Sequence, residues 1–310
     1  MSVKTPLPLK KGDQVAIVCT ARAISEEELT PALSWIKSQG YVPVLGNTIG
    51  KQDRQFGGTD EVRIEDFQQA LDNSNIKAIF CARGGYGTVR LLDGLNFTKF
   101  QENPKWIIGF SDVTALHTHI FTQTKIATLH APLCSTFSQT DQAALYAFGK
   151  ILRGEQPISY PTTTHPLNQE GEATGILVGG NLSVLYSLLG SNSLPNFNGK
   201  ILFLEDLDEY LYHIDRMMMG LKRSGVLENL AGLIVGGMTD MNDNKTPFGK
   251  TVEHIIADST NHYNYPICFD FPTGHWSANY PLVHGANTQL MVKENSVNVV
   301  QSFIKSTSDI

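Results

Sequence analysis

Short, uniformly apolar runs alternate with amphipathic stretches through the first part of the chain. "QVAIVC" (14–19), "VPVL" (42–45), "IKAIFCA" (76–82) and "KWIIGF" (105–110) are continuous rather than alternating, as expected for strands covered on both faces. Between them the spacing is helical. A helix after the first run has two candidate starts, the capping box Ser25…Glu28 and Thr30 with Pro31 in the first helical position, and a stop at Gly40. Val62, Phe67 and Leu71 mark a second helix, and a short one runs through Leu91. Strand and helix in alternation predict a parallel α/β sheet over residues 1–135.

The pattern weakens between 136 and 172. One helix is predicted near 141–152, and "GEQPISYPTTTHPLNQEGE" reads as a connector. A second block then opens, 173–310. It contains the strands "GILVGGN" (175–181), "KILFLE" (200–205), "GLIVGG" (232–237) and "YPICFDF" (265–271). Helices separate them, and a hairpin at 289–300 follows. The expected fold class is therefore α/β: a Rossmann-like parallel-sheet N-terminal domain and a mixed α/β C-terminal domain.

Composition narrows the function classes. The chain has 310 residues, 41% hydrophobic and 17% charged, enough for two domains with sizeable cores. A formal net charge of −6 without a run of Lys or Arg argues against a nucleic-acid partner. No stretch approaches the ~20 apolar residues of a membrane span, so no membrane partner is expected. Cys19, Cys81, Cys134 and Cys268 are far apart, without a C-x-x-C pair, and read as buried free thiols in a reducing compartment. The apolar core "VAIVC" is too short for a signal peptide, so the expected location is the cytoplasm.

Candidate chemistry begins at "WIIGFSDVTALHTHI" (106–120). Ser111 opens a helix after a strand, where serine is a preferred N-cap. The same place, beyond the carboxyl end of a parallel strand, is where open α/β sheets bind ligands. The backbone N–H of Asp112 would lie at a helix N-terminus, and the side-chain-free Gly84 and Gly85 could bring a second N–H close, so an oxyanion could be held there. The G-x-S-x-G elbow is absent. A cap and a nucleophile are compatible roles for one residue.

A nucleophilic serine needs a base, and the base an orienting group. Of nine histidines, His117 and His119 lie too far along the helix from Ser111. His275 stands apart, after Gly274 in a loop just past a buried strand. In "ILFLEDLDEY" Glu205 comes straight off an apolar strand, ahead of Asp206, Asp208 and Glu209. These acids fit a polar loop at a helix N-terminus, or Glu205 fixing the tautomer of His275. A metal site is disfavoured because no histidine pair has ligand spacing. "RGGYG" as a phosphate loop is also disfavoured, since it matches neither G-x-G-x-x-G nor the lysine-bearing loop.

The motifs "ARGGYGTVRLL" (82–92), "IIGFSDVTAL" (107–116), "TLHAP" (128–132), "FLEDLDEYLYHIDRMM" (203–218) and "GHWSANYPLVHG" (274–285) together resemble the LD-carboxypeptidase family of serine peptidases. The resemblance implies a Ser-Glu-His triad of Ser111, Glu205 and His275, located between the two domains. It also implies an oxyanion hole from the N–H groups of Gly85 and Asp112. Arg83, Tyr86 and His130 become candidates for substrate contact. No metal or other cofactor is implied. The implied substrate is a small peptide with a D-amino-acid C-terminus, the murein tetrapeptide of peptidoglycan recycling, and the implied assembly is a homodimer. A second branch of the family hydrolyses microcin C-like peptidyl adenylates. Two departures bear on substrate detail: Cys19-Thr20-Ala21 replaces the frequent Ser-Pro-Ala, and Leu282-Val283-His284-Gly285 replaces Leu-Pro-x-Gly.

Overall fold

A computed structural model describes residues 3–303; positions 1, 2 and 304–310, the outermost residues of the two expected domains, lie outside the described residues. The first apolar runs form β1 (Gln14–Val18), β2 (Val42–Leu45), β3 (Ile76–Cys81), β4 (Trp106–Gly109) and β5 (Thr128–His130). Interspersed are α1 (Thr30–Ser38), α2 (Asp60–Asp72), α3 (Thr98–Glu102) and α4 (Thr114–Thr124). The five strands are parallel in the order β5-β4-β3-β1-β2. Both start signals before α1 are used in succession. Ser25 and Glu28 make the reciprocal capping bonds (Ser25 N–H to Oε2 2.9 Å, Glu28 N–H to Oγ 3.3 Å) around a 3₁₀ turn, and Pro31 then opens α1.

The runs of β1, β3 and β4 are nearly continuous because both faces of the sheet are covered there, whereas β2, at the sheet edge, leaves Val42, Val44 and Leu45 exposed, contrary to the sequence expectation. Val15 and Ile17 of β1, with Trp106 and Ile108 of β4, pack on one side; Ala16, Val18 and Ile107 pack on the other. The first side continues into the second sheet through Leu177, Phe203, Ile234 and Leu290, so one apolar core joins the two sheets. Each large side chain buried there stabilises the arrangement by roughly 1.5–3 kcal/mol. All four cysteines are buried and free.

The remainder contains α5 (Gln142–Leu152), β6 (Ile158–Thr162), β7 (Gly171–Asn181), α6 (Leu182–Ser187), β8 (Lys200–Leu207), α7 (Leu211–Arg223), β9 (Gly232–Thr239) and α8 (Val252–Thr260). It ends with β10 (Ile267–Cys268), β11 (Leu282–His284), β12 (Asn287–Lys293) and β13 (Ser296–Ser302). The second sheet has the order β10-β9-β8-β7-β12-β13-β6. Its first four strands are parallel and the rest antiparallel, a mixed sheet as expected.

Three elements differ from the sequence reading. The run 265–271 gives only the two-residue β10, because Asp270 adopts a left-handed backbone (φ 55°) and the Phe269 N–H turns to the side chain of Asn168. β6 forms within the stretch read as connector; its partner is the distant β13, which no local pattern announces. β11 leaves the second sheet and pairs antiparallel with β5 at the edge of the first.

Candidate active site

The carboxyl ends of the parallel strands gather the chemistry. β4 exits through Gly109 and Phe110 into Ser111, whose φ is +63°. A left-handed backbone costs a non-glycine residue roughly 1–2 kcal/mol and persists only where the surroundings enforce it. A 3₁₀ turn (Ser111–Val113) follows, and α4 starts from Val113. The N-cap expectation for Ser111 is thus corrected. A cap needs extended backbone, and this serine makes no capping hydrogen bond. Without the G-x-S-x-G motif the chain reaches the strained strand–turn–helix conformation that the motif serves.

The glycine turn after β3 lies against this serine. A Cβ on Gly84 would fall 3.6 Å from Ser111 Oγ. Gly85 has φ +106°, and neither its N–H nor that of Asp112 takes part in the backbone hydrogen bonds of these turns. The buried Asp112 carboxylate accepts the Thr88 N–H (2.9 Å), tying the serine turn to the glycine turn. Burial raises the pKa of this carboxyl, against the Thr88 bonds. The wholly buried Arg63 donates to the carbonyls of Thr20 and Gly87, bracing the ends of β1 and of the glycine turn.

Glu205 and His275 meet from the second sheet. Glu205 sits where the β8–β9 register shifts, between Leu204 and Asp206. Such a bulge re-aims side chains, and here both Glu205 and Asp206 are buried. Glu205 Oε2 lies 2.6 Å from His275 Nδ1, and its Oε1 is buried without a partner among the described residues. His275 follows Gly274 in the loop between β10 and β11. The Asn279 side-chain oxygen holds that loop by accepting the Gly274 N–H (2.9 Å). The imidazole packs on the ring of Phe110, centroids 4.7 Å apart, next to Ser111 in sequence. Burial works against its protonation, but the Glu205 charge and hydrogen bond, with Asp206, outweigh that and raise its pKa.

Two further side chains tie the site together through contacts that no local pattern announces. Asp206, its pKa pushed up to about 7 by burial and by the neighbouring Glu205, accepts from Asn181 Nδ2 and the Ser183 N–H (2.8 Å each). Thr114 accepts the Asn181 N–H (3.0 Å) and so links α4 to the end of β7. These contacts are long-range, and only the fold brings them together.

Of the candidates for substrate contact, Arg83 pairs with Glu28 (3.0 Å) and donates to the Ala23 carbonyl (3.3 Å). Tyr86 is 48% exposed. His130 is 2% exposed, edge-on between Phe110 and Phe203, and burial first, then the neighbouring histidines, depress its pKa strongly. His117 turns inward to the Gly109 carbonyl (2.9 Å), and His119 reaches Ser193 (2.8 Å). Among the described residues no group of three or more His, Cys, Asp or Glu side chains is arranged to hold a metal, and no helix is long and apolar enough to cross a membrane.

Comparison with known proteins bears on the family and the fold. Residues 15–131 match the LD-carboxypeptidase N-terminal domain, and residues 174–290 match the LD-carboxypeptidase C-terminal domain. The chain is 33% identical over 295 residues to a probable murein peptide carboxypeptidase of Bacillus subtilis, covering 94% of this chain and 92% of that one. Its fold is similar to the crystal structure of muramoyltetrapeptide carboxypeptidase from Oxalobacter formigenes (TM-score 0.86, 24% identity, 94% of this chain and 100% of that one). It is also similar in fold to the microcin C7 self-immunity protein MccF in complex with aspartyl sulfamoyl adenosine (TM-score 0.85, 22% identity, 97% and 99%). With both domain models matched in order and a relative at this identity over nearly its whole length, the chain belongs to the LD-carboxypeptidase family of serine peptidases.

Proposed function

We propose that this protein is a serine carboxypeptidase that removes the C-terminal D-alanine of the murein tetrapeptide, L-Ala-D-Glu-meso-diaminopimelate-D-Ala, in peptidoglycan recycling. The observation that carries the proposal is the buried Glu205–His275 pair, held against Phe110 beside the strained Ser111. Ser111 Oγ attacks the scissile carbonyl while His275 Nε2 takes its proton; Nδ1–H faces Glu205, which fixes the tautomer. The oxyanion is held by the N–H groups of Gly85 and Asp112. His275 returns the proton to the departing D-alanine amine, and water then resolves the ester on Ser111. No step needs a metal or other cofactor.

In this proposal the N-terminal domain, to residue 135, supplies Ser111, and the C-terminal domain, from residue 173, supplies Glu205 and His275. The matched spans 15–131 and 174–290 support the division. Arg83 and Tyr86 face the peptide, and His130 acts from behind Phe110. The enzyme is a cytoplasmic homodimer, a point that light scattering and cell fractionation would check.

Mass spectrometry of the tetrapeptide incubated with wild type and with Ser111→Ala tests the reading. Loss of one alanine with wild type only is expected. Retained activity in Ser111→Ala would refute the nucleophile. Inactivity of both, with cleavage of a peptidyl adenylate by wild type, would move the substrate to the microcin-type branch.

A further inference from the structure

A carboxypeptidase must recognise a chain end, and what marks that end is its carboxylate. In the reaction proposed above, this carboxylate sits on the leaving amino acid, a short way beyond the scissile nitrogen. The group that reads it therefore has to stand beside the oxyanion hole. An arginine fork is the side chain best matched to a carboxylate, in charge and in geometry.

Four arginines surround the glycine turn, and three have their charge met. Arg63 and Arg90 share Asp60, and Arg83 pairs with Glu28. Arg22 is exposed and, among the described residues, its side chain has no hydrogen bond or carboxylate partner. It is nonetheless held in place. Its backbone N–H donates to the Gly84 carbonyl (3.4 Å), and it bridges Phe56 on the other side. Its side chain lies directly over Gly85: a Cβ there would fall 2.6 Å from Arg22 Cδ and Nε. The absence of a side chain at residue 85 is what leaves room for the guanidinium stem. Gly84, the next residue back, approaches Ser111 Oγ. Arg22 follows β1 and Gly85 follows β3, so the two flank the crevice where the order of the first sheet reverses, the place such sheets bind ligands.

From this juxtaposition we infer that Arg22 binds the C-terminal carboxylate of the peptide and makes the enzyme specific for chain ends. The inference rests on the carboxypeptidase reading and assigns its specificity to one side chain. Arg83, although it belongs to the recognisable motif, is the weaker candidate because Glu28 already neutralises it.

The test compares the tetrapeptide acid with its C-terminal amide, using wild type, Arg22→Ala and Arg22→Lys. Arg22 is exposed, and thermal melting would verify that the variants fold. Wild type should favour the acid about 10- to 100-fold in kcat/KM, the range for one charge-assisted contact. Arg22→Ala should lose that preference, chiefly through KM, and Arg22→Lys should retain part of it. An unchanged preference in Arg22→Ala, or none in wild type, overturns the inference while turnover leaves the carboxypeptidase reading standing. Calorimetric binding of both peptides to Ser111→Ala, with and without Arg22→Ala, separates the reverse case. If wild type cleaves neither peptide but Ser111→Ala binds the acid at least 10-fold more tightly through Arg22, the carboxylate site stands and the reaction is wrong. If neither cleavage nor Arg22-dependent binding is seen, both fall.

Discussion

Residue 274 shares its space with Glu205: a Cβ there would lie 2.8 Å from both Cβ and Oε2 of the glutamate. The backbone at Gly274 is also left-handed (φ +103°), so glycine is required twice over. The close approach lets the loop descend far enough for His275 Nδ1 to reach Oε2 at 2.6 Å. Gly274→Ala should destabilise the fold by about 1–3 kcal/mol and displace the imidazole from its acid. Thermal melting and kcat would read the two effects, and a variant with normal kcat would show that the loop does not set the pair.

Ser111 is strained where it stands, and that predicts a divergence between stability and activity. Ser111→Gly should raise stability by about 1 kcal/mol by removing the left-handed penalty, whereas Ser111→Ala keeps it. Both should lower kcat by roughly 10³-fold or more, because members of the proposed triad act as a unit. Denaturant melts alongside the tetrapeptide assay would decide it. No gain in Ser111→Gly would mean that the serine side chain itself stabilises the turn.

The pH dependence follows from His275. As the base of the proposed mechanism it must be neutral, and its pKa is raised, so the acid limb of kcat/KM should lie above the ordinary histidine value of about 6.5. Asp206 contributes to that rise, and Asp206→Asn should move the limb to lower pH. The sign for stability is opposite. A raised histidine contributes stability that is complete below about pH 6.5 and is lost as pH climbs through the folded value. A limb that stays put in Asp206→Asn would remove Asp206 from the electrostatics of the base.

Behind the site lies a second group of histidines with the reverse behaviour. His284 is buried with both ring nitrogens unpartnered among the described residues, its ring 6.0 Å from that of His117. Burial brings His117 down to about 4 and His284 well below its ordinary value. Their folded pKa values are depressed, so the stability they permit is present above about pH 6.5 and falls away as pH drops below it. His284→Leu removes two unsatisfied polar atoms from an apolar setting. It should hold or raise the melting temperature at pH 7 and flatten its fall between pH 6.5 and 5. An unaltered acid slope would place the lability elsewhere.

β1, β3, β4 and β8 were legible because residues buried on two faces must be apolar at nearly every position. Glu205 stood out by interrupting such a run, and His275 by following a glycine just past another. The helix start before α1 was ambiguous only because two start signals are used one after the other. Ser111 was misread as a cap because residue type favours one, while the backbone angle that forbids it is imposed by packing around the turn.

The sequence by itself determined the α/β class, the family, most of the strands and helices and the candidates for the reacting side chains, all of which depend on local pattern or on motifs in register. Only the tertiary structure decided how they meet. The bulge at Glu205, the Thr114–Asn181 link, the pairing of β11 with β5 and of β6 with β13, and the position of Arg22 over Gly85 join residues far apart in the chain. Their energies come from desolvation and close approach in the folded state, and neither leaves a periodic trace in the order of the amino acids.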